Sequence, residues 1–121
     1  MTYAKIRSHH PYYADELGLG EHAHLLRGVY VGGCIHERNS YTIWEGSRSH
    51  AHNRRKNEFY GWICVLDPKD VLTPRGKPTA VILHELAHLL APETLHSRAW
   101  KKAVTELGCG SEVVRCGLTP L

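Results

Sequence analysis

The sequence lacks a long apolar run, and this absence argues against a protein with membrane-spanning helices. No stretch approaches the roughly 20 apolar residues that a membrane-spanning helix needs. The N-terminal residues, MTYAKIRSHHPYY, lack the apolar segment of a secretory signal. We therefore predict a soluble, cytoplasmic protein without membrane contact.

The sequence also lacks closely spaced cysteine pairs. Its four cysteines are Cys34, Cys64, Cys109 and Cys116. No two of them form C-x-x-C, which argues against a structural zinc knuckle. Cys34 and Cys64 are predicted to be buried strand residues. Cys109 and Cys116 could bridge if oxidised, but free thiols in a reducing compartment are the expectation.

No extreme of charge or composition is present. A chain of 121 residues, 42% hydrophobic and 22% charged, is typical of an ordinary globular protein. This length predicts one domain over residues 1–121. The net charge of +3 permits contact with nucleic acid without requiring it.

Histidine, by contrast, is abundant, with ten residues. Three belong to the candidate metal site described next, namely His84, His88 and His96. Three pairs are expected on the surface, namely His9 with His10, His22 with His24 and His50 with His52.

The strongest chemical signal is an H-E-x-x-H motif, His84-Glu85-Leu86-Ala87-His88. Residues four apart on a helix point to one side, so His84 and His88 can bind one ion. Glu85 lies one step round the helix, where it can hold a metal-bound water as a general base. Catalytic zinc needs three protein ligands, and we predict His96 as the third.

Two carboxylates are alternatives for the third ligand. Glu106 lies on the far side of the predicted second helix from Trp100, so it ranks below His96. Glu93 lies beside the break made by Pro92. H-E-x-x-H also arises by chance in unrelated helices, but the further histidine and the apolar surroundings favour a metal site.

Local signals bound the two helices. Thr79 is the predicted N-cap of the motif helix, and Pro92 is predicted to stop it. A second helix is predicted over residues 95–107, with His96 facing the first helix and Gly108 as the stop.

The rest of the chain favours strands and loops. Strands are predicted over residues 29–35, 41–44 and 59–66, with a turn at residues 37–40. Weaker signals suggest a short helix over residues 11–17, a helical turn over 21–26 and a strand-like tail over 112–115.

The polar segment 46–58 is predicted to be a solvated loop. The alternative is a basic lip that gives weak contact with nucleic acid or an acidic substrate through four cations. These are Arg48, Arg54, Arg55 and Lys56.

The segment from His84 to Trp100 resembles the minimal zinc-metallopeptidase core of the SprT-like and WLM-type families. The shared features are H-E-L-A-H, a short loop, and a histidine followed four residues later by an aromatic residue. The resemblance covers roughly residues 59–108.

This resemblance implies three zinc ligands, His84, His88 and His96. It further implies that Glu85 is catalytic, that Trp100 packs beneath the site and that the substrate is a protein or peptide. The strand at residues 59–66 would form the sheet edge along which an extended substrate pairs.

The sequence also departs from related patterns. Ala91 and Thr94 occupy the glycine and final histidine positions of the metzincin motif, so metzincin membership is not expected. The paired C-x-x-C knuckles of the zinc ribbon in many SprT-like proteins are absent, so the DNA-repair roles of some members are not carried over.

We therefore predict an α+β, zincin-like domain, in which a few-stranded, mostly antiparallel sheet packs on the H-E-x-x-H helix and a following helix. The predicted function is zinc-dependent peptide-bond hydrolysis, with Glu85 as the general base. One alternative is a zinc-stabilised module that binds protein or nucleic acid without peptidase activity. Another is a zinc amidase or other hydrolase acting on a non-peptide substrate.

Overall fold

The fold is α+β, as predicted, with a four-stranded sheet and three α-helices among the residues that the structure describes. The structure is a computed structural model that describes residues 3–35, 48–92 and 96–119. The strands are β1 (His10–Tyr13), β2 (Gly28–Val31), β3 (Ser49–Ala51) and β4 (Trp62–Val65). The helices are α1 (Ala80–Leu90), α2 (Arg98–Glu106) and α3 (Ser111–Arg115), and single 3-10 turns cover Tyr3–Lys5, Gly20–His22 and Pro68–Asp70. Within these ranges no helix is long and apolar enough to cross a membrane.

The sheet is mixed, with strand order β1-β2-β4-β3. The β1/β2 and β4/β3 pairs are antiparallel and the β2/β4 pair is parallel. In the described sheet β3 is therefore an outermost strand and β4 lies inside. The prediction that residues 59–66 form the sheet edge is wrong, because residues 49–51 of the supposed loop pair with β4.

The two central strands are buried on both faces. Val29 and Ile63 point to the inner face, where they join Ile82 and Leu86 of α1 in the main core. The outer face carries a smaller apolar cluster of Tyr30, Cys34, Ile35, Trp62 and Cys64. A sheet buried on both sides can position functional side chains on both sides.

The limits of α1 follow the local signals. The Thr79 hydroxyl accepts a hydrogen bond from the Ile82 backbone N–H at 3.3 Å, which confirms the predicted N-cap. The helix ends at Leu90, two residues before Pro92, as predicted.

The second helix begins later than predicted. Ser97 caps α2 by accepting from the backbone N–H of Trp100 at 3.3 Å, so His96 precedes the helix instead of lying in it. Gly108 follows the helix with a positive φ of 83°, which confirms the predicted stop.

Two weaker predictions are wrong. Residues 10–13 form β1 and not a helix, because Tyr12 is buried and pairs with Val29. Residues 112–115 lie in α3 and not in a strand, with Val113 packed in the cluster around Trp100. The expected helical turn over 21–26 is confirmed in part by the 3-10 turn Gly20–His22. The strand predicted at 41–44 and its turn at 37–40 lie outside the described residues.

Candidate metal centre

Three histidine rings converge between α1 and the start of α2. The ring centroids of His84 and His88 are 5.2 Å apart, and each lies 5.1 Å from the ring centroid of His96. Zinc binds an imidazole nitrogen at about 2.0–2.1 Å, so three rings around one tetrahedral ion have centroids about 5 Å apart. The ring centroids therefore have the spacing of three imidazoles around one ion, but each described set of donor atoms within 4.8 Å that includes His84 holds either His88 or His96, not both.

One pair of ring nitrogens has the separation that a shared ion would give. The Nε2 atoms of His84 and His96 are 3.2 Å apart. Two nitrogens on one tetrahedral zinc ion would lie about 3.3 Å apart. The chain thus brings His96 to the nitrogen of His84 that a metal would use.

Two overlapping sets of side chains have donor atoms close enough to hold a metal ion, with all atoms within 4.8 Å of one another. One set is His84, Glu85 and His88, and the other is His84, His96 and Cys116. The Sγ atom of Cys116 lies 3.9 Å from Nδ1 of His84. Because His96 lies at Nε2 instead, Cys116 and His96 approach different nitrogens of that ring.

Nδ1 of His84 already has a closer partner in Glu112. Oε1 of Glu112 accepts a hydrogen bond from this nitrogen at 3.0 Å, and both side chains are buried. A carboxylate on one ring nitrogen fixes the tautomer and leaves the lone pair of the other nitrogen for a metal. This contact favours Nε2, and therefore His96, over a ligand set that includes Cys116.

Arg115 in turn holds Glu112. Its Nε and terminal nitrogen donate to the two carboxylate oxygens at 2.7 and 2.8 Å. Burial alone would raise the pKa of Glu112, but Arg115 and His84 outweigh it and hold the pKa below its ordinary value. Burial lowers the pKa of His84, an effect that Glu112 partly opposes, so a neutral imidazole is favoured.

Glu85 faces the same centre and is only 6% exposed. Its Oε2 accepts a hydrogen bond from the Ser49 hydroxyl on β3 at 2.7 Å. Burial raises the pKa of Glu85 to about 7, although the bond from Ser49 lowers it. A carboxyl group with a pKa near neutrality can both accept and donate a proton at physiological pH.

Trp100 packs against all three histidines, as the resemblance implied. Its ring centroid lies 4.8, 5.4 and 4.5 Å from those of His84, His88 and His96. The indole N–H donates to the backbone carbonyl of His84 at 3.2 Å, and the residue is fully buried. The tryptophan therefore limits the rotation of the three rings.

A cleft of about 190 Å³ opens beside His84. It runs between β3 and the start of α1, and its lining includes Ser49, Arg48 and Arg115. Two arginines thus border the entrance to the candidate site. Arg48 also forms an ion pair with the buried Asp70, which ties the start of β3 to the turn before α1.

The carboxylates considered as third ligands receive no support. Glu106 is exposed on α2, and Glu93 lies outside the described residues. The sequence did not point to Ser49, Glu112 or Arg115, and only the acidic and basic character of the last two could have drawn attention to them.

Comparison of the chain with protein-family models, with curated proteins and with solved structures finds no significant match.

A second group of metal-binding side chains lies on the outer face of the sheet. Its members are Cys34, His50, His52 and Cys64, and we call it the outer cluster. His50 and His52, which were expected on the surface, are half-buried. Residues distant in sequence assemble this set of donors, an arrangement that no C-x-x-C spacing indicates.

Proposed function

We propose that the protein is a zinc metallopeptidase whose metal is held by His84, His88 and His96. The observation that carries this proposal is the near-equal spacing of 5.1–5.2 Å among the three ring centroids. An all-imidazole set favours zinc among the common catalytic metals, and three ligands leave a fourth position open. The resemblance to SprT-like and WLM-type cores points to the same metal and reaction.

In this proposal zinc, when bound, supplies a Lewis acid that activates water and polarises the scissile carbonyl. Glu85 removes a proton from the attacking water and passes it to the leaving amine. Ser49 keeps the Glu85 carboxylate directed into the site through its 2.7 Å hydrogen bond. Glu112 holds His84 in the tautomer that presents Nε2 to the metal.

The substrate would be an extended peptide lying along β3. This strand is outermost in the described sheet and carries Ser49 beside the catalytic carboxylate. An edge strand offers backbone N–H and C=O groups that bind a peptide with little dependence on its sequence. In this role β3 replaces residues 59–66, the segment that the sequence suggested for pairing with substrate.

The decisive experiment compares Glu85→Gln with the unmodified protein. Glutamine keeps the size of the side chain but cannot act as the base, so hydrolysis should fall by roughly 10²- to 10⁴-fold. Zinc content should not change, because the histidines are intact. Cleavage of a fluorescently labelled unstructured polypeptide gives the rate, and elemental analysis gives the zinc content.

Glu106→Gln is the matched control, because this glutamate is exposed on α2. It should retain full activity and full zinc content. Unchanged hydrolysis by zinc-loaded Glu85→Gln would refute the proposed mechanism. Hydrolysis of small amides but not of polypeptides would favour the amidase alternative.

A binding module without peptidase activity remains the second candidate. It is favoured by the exposed cations Arg54, Arg55 and Lys56, which follow β3. Nucleic acid binding through these residues would weaken with added salt and would survive Glu85→Gln. The same variant therefore separates the two functions.

A further inference from the structure

We propose that the outer cluster is a second, structural zinc site formed by Cys34, His50, His52 and Cys64. It lies on the opposite face of the sheet from the three histidines described above. The inference does not depend on the proposed peptidase activity.

The four donor atoms are already close together. All lie within 4.8 Å of one another. Sγ of Cys34 is 3.5 Å from Nε2 of His52, and the ring centroids of His50 and His52 are 5.0 Å apart. With Zn–S near 2.3 Å and Zn–N near 2.0–2.1 Å, a tetrahedral site has S–N edges of about 3.5 Å and ring centroids about 5 Å apart. Both observed distances agree with one ion at the centre.

The sheet register accounts for this arrangement. His50 lies directly opposite Cys64 in the antiparallel β3/β4 pair, so both side chains point to the outer face. His52 is two residues further on and returns to the same face. Cys34 follows the end of β2. Between them lies Gly32, whose positive φ of 94° is a backbone conformation that glycine adopts more readily than other residues. Three neighbouring segments therefore contribute ligands.

The surroundings suit a closed structural site. Cys34 and Cys64 are 6% and 0% exposed, and Tyr30 and Trp62 pack in the same apolar cluster. The backbone N–H of Ile35 donates to Sγ of Cys64 at 3.5 Å, a contact that stabilises a thiolate. Two sulfur and two nitrogen ligands fill the tetrahedral shell of zinc and leave no position for a substrate.

The charges of the bound site balance. On binding, each cysteine thiol releases one proton and forms one S–Zn bond, and each neutral imidazole donates a nitrogen lone pair. The two thiolate charges cancel the charge of Zn²⁺. A neutral assembly is compatible with the apolar setting, because no net charge remains buried.

The second zinc would fix β3 to the rest of the sheet. His50 and His52 belong to β3 and the residue after it, Cys64 belongs to β4, and Cys34 follows β2. Between His50 and Arg48, Ser49 points to the inner face and bonds Glu85. Metal on the outer face would thus restrain the strand that positions the catalytic carboxylate.

The first test is the zinc content and zinc-edge X-ray absorption of the intact protein. We expect two zinc ions per chain, with an average of about one sulfur and three nitrogen or oxygen neighbours per ion. His88→Ala combined with His96→Ala should leave one zinc ion with two sulfur neighbours. Absence of sulfur neighbours in both proteins would overturn the proposal.

The second test removes the thiols. Cys34→Ser combined with Cys64→Ser should lose one zinc ion and all sulfur neighbours. Cys109→Ser is the matched control, because Cys109 is a buried thiol outside all three groups of donors, and it should keep two zinc ions. Unchanged zinc content in the double serine variant would also overturn the proposal. If that variant fails to fold, the histidine variant still decides the question.

Discussion

The contribution of Ser49 to the proposed reaction can be measured separately, because its side chain acts in the proposed mechanism only through its hydrogen bond to Glu85. Its hydroxyl donates to Glu85. A hydrogen bond to a charged group contributes about 1.5–3 kcal/mol, so we expect Ser49→Ala to lower kcat by roughly 10- to 100-fold. Steady-state kinetics with a labelled polypeptide should show the loss mainly in kcat, with zinc content unchanged.

Ser49→Thr retains the hydroxyl and should recover most of the activity. Ser8→Ala, at an exposed position, serves as the control and should have no effect. Equal kcat values for the alanine and threonine variants would show that the hydroxyl does not position Glu85.

The same residues show which parts of the site the sequence predicts. His84, Glu85 and His88 lie within one helical turn, so the regular geometry of a helix fixes their arrangement. Ser49 and Glu112 act on this helix from 36 and 28 residues away. Such contacts depend on the tertiary fold, and no local pattern indicates them.

Among the elements, α1 depends on its N-terminal cap. The Thr79 hydroxyl accepts from Ile82 and also donates to the backbone carbonyl of Asp70, which joins the helix to the preceding turn. We expect Thr79→Ala to lower the free energy of unfolding by about 1–2 kcal/mol. Urea denaturation of the metal-free protein measures this change without a contribution from bound zinc.

Thr105→Ala provides a control with the same chemical change. Thr105 is exposed near the end of α2, and its hydroxyl donates to the Lys101 carbonyl within the helix. Alanine has the higher helix propensity, so this variant should be neutral or slightly more stable. A loss of the same size in both variants would show that the cap has no special role.

The elements differ in how well sequence predicts them. The limits of α1 follow from Thr79 and Pro92, whose effects are local. In contrast, β3 consists of Ser49, His50 and Ala51, which carry no hydrophobic alternation, and it forms because β4 supplies its hydrogen-bond partners. The strand β1 likewise forms by pairing with β2, which overrides the helix start suggested by Pro11.

On the scale of the whole molecule, metal bound at the two candidate sites would restrain different parts of the chain. One site would join α1 to the start of α2, and the other would join β3 to β2 and β4. Removal of metal by a chelator should therefore increase amide hydrogen exchange most at β3 and around residues 96–100. The buried strands β2 and β4 should retain most of their protection. Hydrogen exchange followed by mass spectrometry measures both changes.

Site-specific variants separate the two effects. Cys34→Ser with Cys64→Ser should reproduce the change at β3, whereas His88→Ala with His96→Ala should reproduce the change around residues 96–100. A uniform increase in amide hydrogen exchange along the chain in both variants would contradict the assignment of the two sites to separate regions.

The alternation of β3 has a further consequence for how the sequence can vary. Ser49 and His50 are adjacent in sequence, yet the Ser49 side chain lies on the inner face of the sheet and the His50 side chain on the outer face. Inserting or deleting one residue here would reverse the direction of every later side chain in the strand. A substitution in β3 changes one side chain and leaves the others on their faces, but a change of length moves every later side chain to the opposite face. A short polar segment without a hydrophobic pattern can therefore be under a strict constraint on its length.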